Sequence, residues 1–507
     1  PQPPSISRQV DMNQDPDMLA PVPVYAVPVH VNGTLTVPGS VTATVSDSGS
    51  VPPKRSKKTI IIMVSCILVA VIVAAAVVLY FVLSDDDDDL EPRNGQVLCY
   101  DNSEAITCPA SSSEAFYFQD ADVDDNISLT DNGDDTVSDT RTGLMWTQSP
   151  DLDGDGECTS EDKRSQGDAV TYCASLSLAG HDDWRLPTVK EMYSLIDFSG
   201  MDVSSQMMAD EAPDDAVPFI DEYYFEYEYG RPEDMERIID SQYASTTLYT
   251  SSTRDEGDGT MFGVNMADGR IKGYGMGTEG PMEKTFFVHC VRNYDSRDWN
   301  TNQYTAGTGD EADTVYDATT SLQWMKEDSG ADTYKATYGN SSYQYGMFWE
   351  DAFAYANGMN DIAFAGHTDW RVPSVKELQT IVDYTADIDG GDAPIDTAYF
   401  DISDRTNEAG DSDYPWFWSS TSHVAYTEEG SSDPAGGWGA YVAFGRAMGY
   451  SEESDPQWAD VHGAGCQRSD PKTGDPSEYS TGHGPQGDAI RIYNHVRLVR
   501  DYTVSLD

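Results

Sequence analysis

The densest run of metal-ligating side chains is Asp151-Leu-Asp153-Gly-Asp155-Gly156-Glu157-Cys-Thr159-Ser-Glu-Asp162. Oxygen ligands fall at positions 1, 3, 5, 7, 9 and 12, with Gly156 at position 6 for a sharp turn, which is the spacing of a calcium loop. A hard cation needs six or more oxygens around one point, and this spacing predicts Ca2+ held by Asp151, Asp153, Asp155, Glu157, Thr159 and Asp162. Position 12 is Asp, whose arm is shorter than the usual Glu. No helix pair flanks the loop, so an isolated calcium loop is expected; the plain alternative is a solvated acidic turn. Looser acidic groups occur at Asp120, Asp122, Asp124 and Asp125, and at Asp387, Asp389 and Asp392.

The elements that must position such a loop are written twice. Gly180–Glu191 reads GHDDWRLPTVKE, and 186 residues later Gly366–Glu377 reads GHTDWRVPSVKE, with nine of twelve positions identical. A repeat of this period marks two copies of one folding unit. Thr188 and Ser374, each followed three residues later by Glu, predict capping boxes. Behind them Val189, Met192, Leu195 and Ile196, and then Val375, Leu378, Ile381 and Val382, predict a short amphipathic helix in each copy. Proline before each cap keeps Trp-Arg-Leu and Trp-Arg-Val extended. A second helix is expected before each string, over Ala169–Leu176 and Ala352–Met359. The frame Thr-Val-x-Asp-x-x-Thr-x-Leu-x-Trp, ending at Trp146 and Trp324, predicts strand, turn and strand. Further matches are Pro218–Phe225 with Pro394–Phe400, Tyr249–Thr253 with Phe417–Thr421, Met261–Gly269 with Trp438–Gly445, and the closing Val-x-x-Val-Arg at Arg292 and Arg500.

The chain has 507 residues, 88 acidic against 30 basic, and a formal net charge of −58. Such a surface repels phosphate backbones and argues against nucleic acid as a partner. Thr59–Leu83 carries no formal charge, with lysines and Arg55 before it and Asp85–Asp89 after it. Its length predicts one transmembrane helix, and the flanking charge places the N-terminus in the cytosol. The expected layout is a disordered tail at 1–58, a transmembrane helix at 59–83, an acidic juxtamembrane linker at 84–128, and repeats at 129–295 and 311–502.

Six cysteines lie beyond the apolar segment, an even number suited to an oxidising compartment. Short-range pairing gives Cys99–Cys108 and Cys158–Cys173, which leaves Cys290 with Cys466. Asn126 and Asn340 head glycosylation sequons. The eight histidines are scattered. No phosphate loop, His-rich zinc motif or reactive cysteine pair is evident, so no enzyme is expected.

These motifs, taken together over most of 129–295 and 311–502, resemble the Lcl C-terminal domain family of bacterial surface proteins. Arg-Leu-Pro-Thr-x-x-Glu is more distantly similar to formylglycine-generating-enzyme-type domains. The resemblance implies an α+β, C-type-lectin-like fold for each of two tandem domains after the transmembrane helix. Copy two lacks the Asp-Asn-Gly start, and His289 stands where an Arg is usual. The implied function is a single-pass plasma-membrane protein whose ectodomain binds an extracellular glycan or protein in adhesion or recognition, assisted by calcium. Tyr223-Tyr224-Phe225, Tyr227 and Trp416–Trp418 are candidates to stack on sugars. The alternatives are a formylglycine-generating-type modifying enzyme and a self-associating structural surface component.

Overall fold

A computed structural model describes residues 95–123, 128–251, 253, 259–276, 284–427, 434–451 and 457–502. The tail, the 59–83 segment and Asn126 lie outside these residues. Residues 89–507 form one compact unit.

Both frame motifs fold as expected. In copy one Thr136–Asp139 pairs with Leu144–Thr147, placing Val137 opposite Trp146; in copy two Thr314–Asp317 pairs with Leu322–Met325, placing Val315 opposite Trp324. All four side chains are fully buried. Asp ends the first strand because its carboxylate closes the turn: Asp139 accepts from Arg141 N at 2.9 Å and Thr142 Oγ1 at 2.7 Å. Asp317 accepts from Thr319 N and Thr320 Oγ1, both at 3.0 Å. Each hairpin grows into a four-stranded antiparallel sheet, closed by Val291–Asn293 in one copy and Val499–Asp501 in the other.

The larger sheet is shared. Copy one supplies Gln242–Tyr243, Thr260–Asn265 and Arg270–Gly275; copy two supplies Trp416–Ser422, Trp438–Ala443 and Gln467–Pro471. The six strands run in palindromic order, joined at the centre where Gln467 lies opposite Ile271. The capped helices Val189–Tyr193 and Val375–Thr380 pack on this sheet and on each other, over a hydrophobic core built from both copies. Lys190, from the duplicated string, ties the copies together by donating to Thr380 O at 2.7 Å.

The expected α+β, C-type-lectin-like architecture behind a membrane helix is corrected. The unit is β-rich, and the longest helix among the described residues is Trp349–Asp361, of 13 residues. Among the described residues no helix is long and apolar enough to cross a membrane. The capped helices start where expected but end sooner, at Tyr193 and Thr380, so Leu195, Ile196 and Val382 of the expected apolar faces lie beyond them.

Residues 95–123, expected as part of an acidic linker, form a strap docked on copy two. Cys99–Tyr100 pairs with Ala105–Ile106, Phe116 stacks on Trp349 at 5.8 Å, and Lys472 Nζ donates to Asp101 O at 2.8 Å. Phe116 and Phe118 are half-buried there.

Candidate functional site

The duplicated string builds ionic latches. Arg185 makes a bidentate pair with Glu191 at 2.6 and 2.7 Å and reaches Asn293 at 2.8 Å. Arg371 does the same to Glu377 at 2.6 and 2.7 Å and reaches Asp501 at 2.6 Å. The same Glu closes each capping box, so one carboxylate holds the strand entry and the helix start. Asp183 and Asp369 grip Arg292 and Arg500, the closing arginines. Trp184 and Trp370 are buried beneath. The string is scaffold.

The Ser-Thr match shifts by six residues in copy one. Ser245, Thr246 and Thr247 stand where Ser419, Ser420 and Thr421 stand. Ser245 Oγ donates to Phe262 O at 2.6 Å as Ser419 Oγ does to Ala440 O at 2.7 Å. Thr247 Oγ1 accepts from Val189 N at 3.0 Å as Thr421 Oγ1 does from Val375 N at 2.9 Å. Tyr249–Thr253, the expected match, therefore lies just beyond. At the other departure, Arg497 is buried and donates to Met325 O at 3.0 Å, while His289 stacks on Tyr243 at 5.0 Å. Burial pushes His289 down to about 4, so it packs as a neutral ring.

In the acidic loop, Asp151, Asp153 and Asp155 each offer an oxygen, all lying within 4.8 Å of one another. The turn forms because Asp151 accepts from Gly154 N at 2.7 Å and Gly156 N at 2.9 Å, with both glycines at positive φ. Those backbone bonds, Gly156's first, hold the Asp151 carboxyl below its usual range. Of the other three expected positions, the seventh calls for the backbone carbonyl of Glu157, so its side chain is free to turn elsewhere. Glu157 faces Arg231 at 3.4 Å. Thr159 Oγ1 accepts from Glu161 N at 3.1 Å. Asp162 is buried and accepts from Leu152 N, Asp153 N and Thr159 N at 2.8–3.2 Å, closing the loop from inside. Its short arm reaches three backbone N–H groups. The carboxylates that fit a hard cation are Asp151, Asp153 and Asp155.

The cysteine pairing is partly corrected. Cys99–Cys108 forms as expected. Cys173 pairs with Cys290, because the helix Gln166–Ser175 lays that face on the strand leading to Arg292, in one small core. Cys158 and Cys466 are free and buried. Burial pushes the Cys158 thiol up to about 12 and raises Cys466 further, the opposite of an activated nucleophile. Asn340 is exposed, with Oδ1 accepting from Ser342 N at 3.0 Å. Trp416, Trp418 and Phe225 are core; of the expected sugar-stacking aromatics only Tyr223 is strongly exposed, at 47%.

Sequence reading missed the cavity on the shared sheet. A cleft of about 560 Å³ spans the joint between Arg270–Gly275 and Gln467–Pro471. Arg237, Arg270, Lys272, Lys284 and Arg468 line it with Asp202, Asp240, Asp268 and Asp488, so its net charge is near zero in a strongly acidic chain. Arg270 pairs with Asp202 at 2.7 Å, Lys272 with Asp268, and Arg468 with Asp488. His462 and His423 are pushed down to about 4 by burial and are neutral. Trp438 supplies aromatic surface, and the buried Tyr274 lines the cleft with Lys284 Nζ 4.4 Å over its ring. Paired guanidinium and carboxylate groups offer donors and acceptors side by side. The missing signal was the basic residue pattern of Arg270-Ile-Lys272 and Arg468, rare in this composition.

The sequence profile of the Lcl C-terminal domain matches residues 135–292 and 313–459, once for each copy. The chain belongs to the Lcl C-terminal domain family. The second match stops before Gln467–Pro471, so the strand that carries copy two's side of the cleft lies outside the Lcl C-terminal domain as matched. No curated protein and no solved structure matches the chain.

Proposed function

We propose that this Lcl C-terminal domain protein is a cell-surface recognition protein that binds an extracellular glycan in the cleft between its two repeats. The observation that supports this reading is the cleft itself: about 560 Å³, crossing two copies, lined by charge-neutral Arg–Asp pairs beside Trp438 and Tyr274. Planar donor–acceptor pairs suit adjacent sugar hydroxyls, and an aromatic face suits the apolar side of a sugar ring. The two disulfides fit an oxidising compartment. In this reading Ca2+ rigidifies the 151–162 loop through Asp151, Asp153 and Asp155.

A glycan array probed with residues 89–507, with and without calcium, tests the reading. Binding to a defined glycan that Arg468→Ala and Trp438→Ala both weaken at least tenfold supports it. No glycan retained above background, or binding indifferent to both substitutions, overturns it. Titration calorimetry of Ca2+ against the wild type and Asp153→Asn tests the cation separately: heat lost in the variant is expected, and no heat at millimolar calcium rules the cation out.

A further inference from the structure

The strap fills a groove on copy two whose counterpart on copy one is open. In copy two Phe116 lies on Trp349 and against Phe353, at 5.8 and 6.2 Å, and the Phe118 ring covers the Arg371 guanidinium at 5.8 Å. Asp120 then accepts from Thr421 Oγ1 at 2.6 Å. Under this cover the Arg371 side chain is 4% exposed.

Copy one repeats the arginine and threonine of that groove without the cover, and Gln166 stands in the place of Trp349. Val170 stands in the place of Phe353 and is 39% exposed, Leu248 in the place of Ser422 is 45% exposed, and the Arg185 side chain is 39% exposed. A cavity of about 450 Å³ runs along Val170, Ala174, Arg185 and Thr188 to Thr246. Next to it Thr247 accepts from Val189 N, as Thr421 does from Val375 N, but its hydroxyl donates to no acceptor among the described residues. Arg185 already holds Glu191 with both terminal nitrogens, which leaves its flat face for an aromatic ring.

We propose that this groove of copy one docks an extended aromatic–acidic segment of a partner protein, one that presents a ring to Arg185 and a carboxylate to Thr247. The strap defines the ligand chemistry: two aromatic residues one apart, then a carboxylate two residues on, as in Phe116-Tyr-Phe118-Gln-Asp120. The strap of the same chain is held elsewhere, by Gln96 Nε2 donating to Ser422 O at 2.7 Å and by Lys472 on Asp101. The groove lies apart from the inter-repeat cleft, and the proposal does not depend on glycan binding.

The probe is a fluorescent peptide with the sequence of Ser113–Val123, titrated into the full chain and followed by anisotropy and hydrogen exchange. Saturable binding is expected, with protection of 166–175 and 185–190. Val170→Arg, an exposed change, and a peptide with both Phe residues replaced by Ala should each weaken binding at least tenfold. Unchanged binding to Val170→Arg, equal binding of a scrambled peptide, or exchange effects confined to 349–361 overturns the proposal. A chain dimer that is abolished by Phe116→Ala with Phe118→Ala would also overturn it, by assigning the groove to the strap of a second copy.

Discussion

Tyr249 of the first repeat donates its phenol proton to Asp460 of the second at 2.8 Å, in a contact shielded from solvent. Burial pushes the Asp460 carboxyl up to about 7, with nearby Asp413 adding to the rise and Tyr249, Gly463 N and Arg446 opposing it. An unfolded Asp titrates near 3.9. The folded state therefore holds this proton more tightly, so the stability contributed is complete below about pH 4 and lost as pH rises through about 7. Denaturant midpoints should fall over that range, and Asp460→Asn should flatten part of the slope. Asp470, raised to about 6 by burial, contributes a slope of the same sign. Parallel profiles for wild type and Asp460→Asn would refute the assignment.

Gly273 marks the tightest approach at the joint between the repeats. A Cβ there would sit 2.6 Å from His462 O and 2.8 Å from Thr260 Cγ2. The first neighbour is backbone and cannot swing away. Gly273→Ala should cost about 1–3 kcal/mol in urea denaturation. A wild-type midpoint would mean the strands do not meet as described.

The two latches, alike in sequence, should differ in cost. Glu377→Gln leaves Arg371, 4% exposed, without its main partner and should lose about 3–5 kcal/mol. Glu191→Gln leaves Arg185, 39% exposed, able to hydrate and still held by Asn293, and should lose less, about 1 kcal/mol. Equal losses by thermal denaturation would count against the strap's burial of Arg371.

The Cys173–Cys290 bond closes 117 residues of chain and the Cys99–Cys108 bond only 9. Loop-closure entropy then assigns about 5 kcal/mol to the first and about 3 kcal/mol to the second. Replacing Cys173 and Cys290 with Ala should lower the melting temperature more than replacing Cys99 and Cys108. The reverse order would show that the strap carries more of the stability than chain entropy implies.

Local signals in the sequence translated into structure, and long-range ones did not. Thr188 and Ser374 announce their helices because a cap and its Glu lie three residues apart. Nothing local tells Cys173 to choose Cys290 over Cys158, since the choice depends on a helix lying against a strand more than a hundred residues away. Thr246-Thr247 and Ser252-Thr253 offer two near-matches to Ser420-Thr421, and only the bond from Val189 N selects the first. Gly269-Arg270 and Gly445-Arg446 open similar runs that end in different sheets. In copy two Met448–Ser451 pairs with Gln457–Asp460, and Gln467–Pro471 takes the place beside Trp438–Ala443. Of the six residues expected to hold calcium, the alternating Asp151, Asp153 and Asp155 lie together because a tight turn with period two brings them there. Asp162 was drawn instead to backbone donors.

The palindromic order of the shared sheet is that of two related halves paired edge to edge, with Gln467–Pro471 standing in for copy two's counterpart of Arg270–Gly275. Joined in one polypeptide, the halves escape the constraint that binds a homodimer, where every substitution is made twice. One half could acquire an acidic loop and an internal disulfide while the other acquired a strap and a buried arginine. The uneven furnishing of the two grooves is thus a freedom conferred by covalent connection: a symmetric frame that evolution can edit one side at a time.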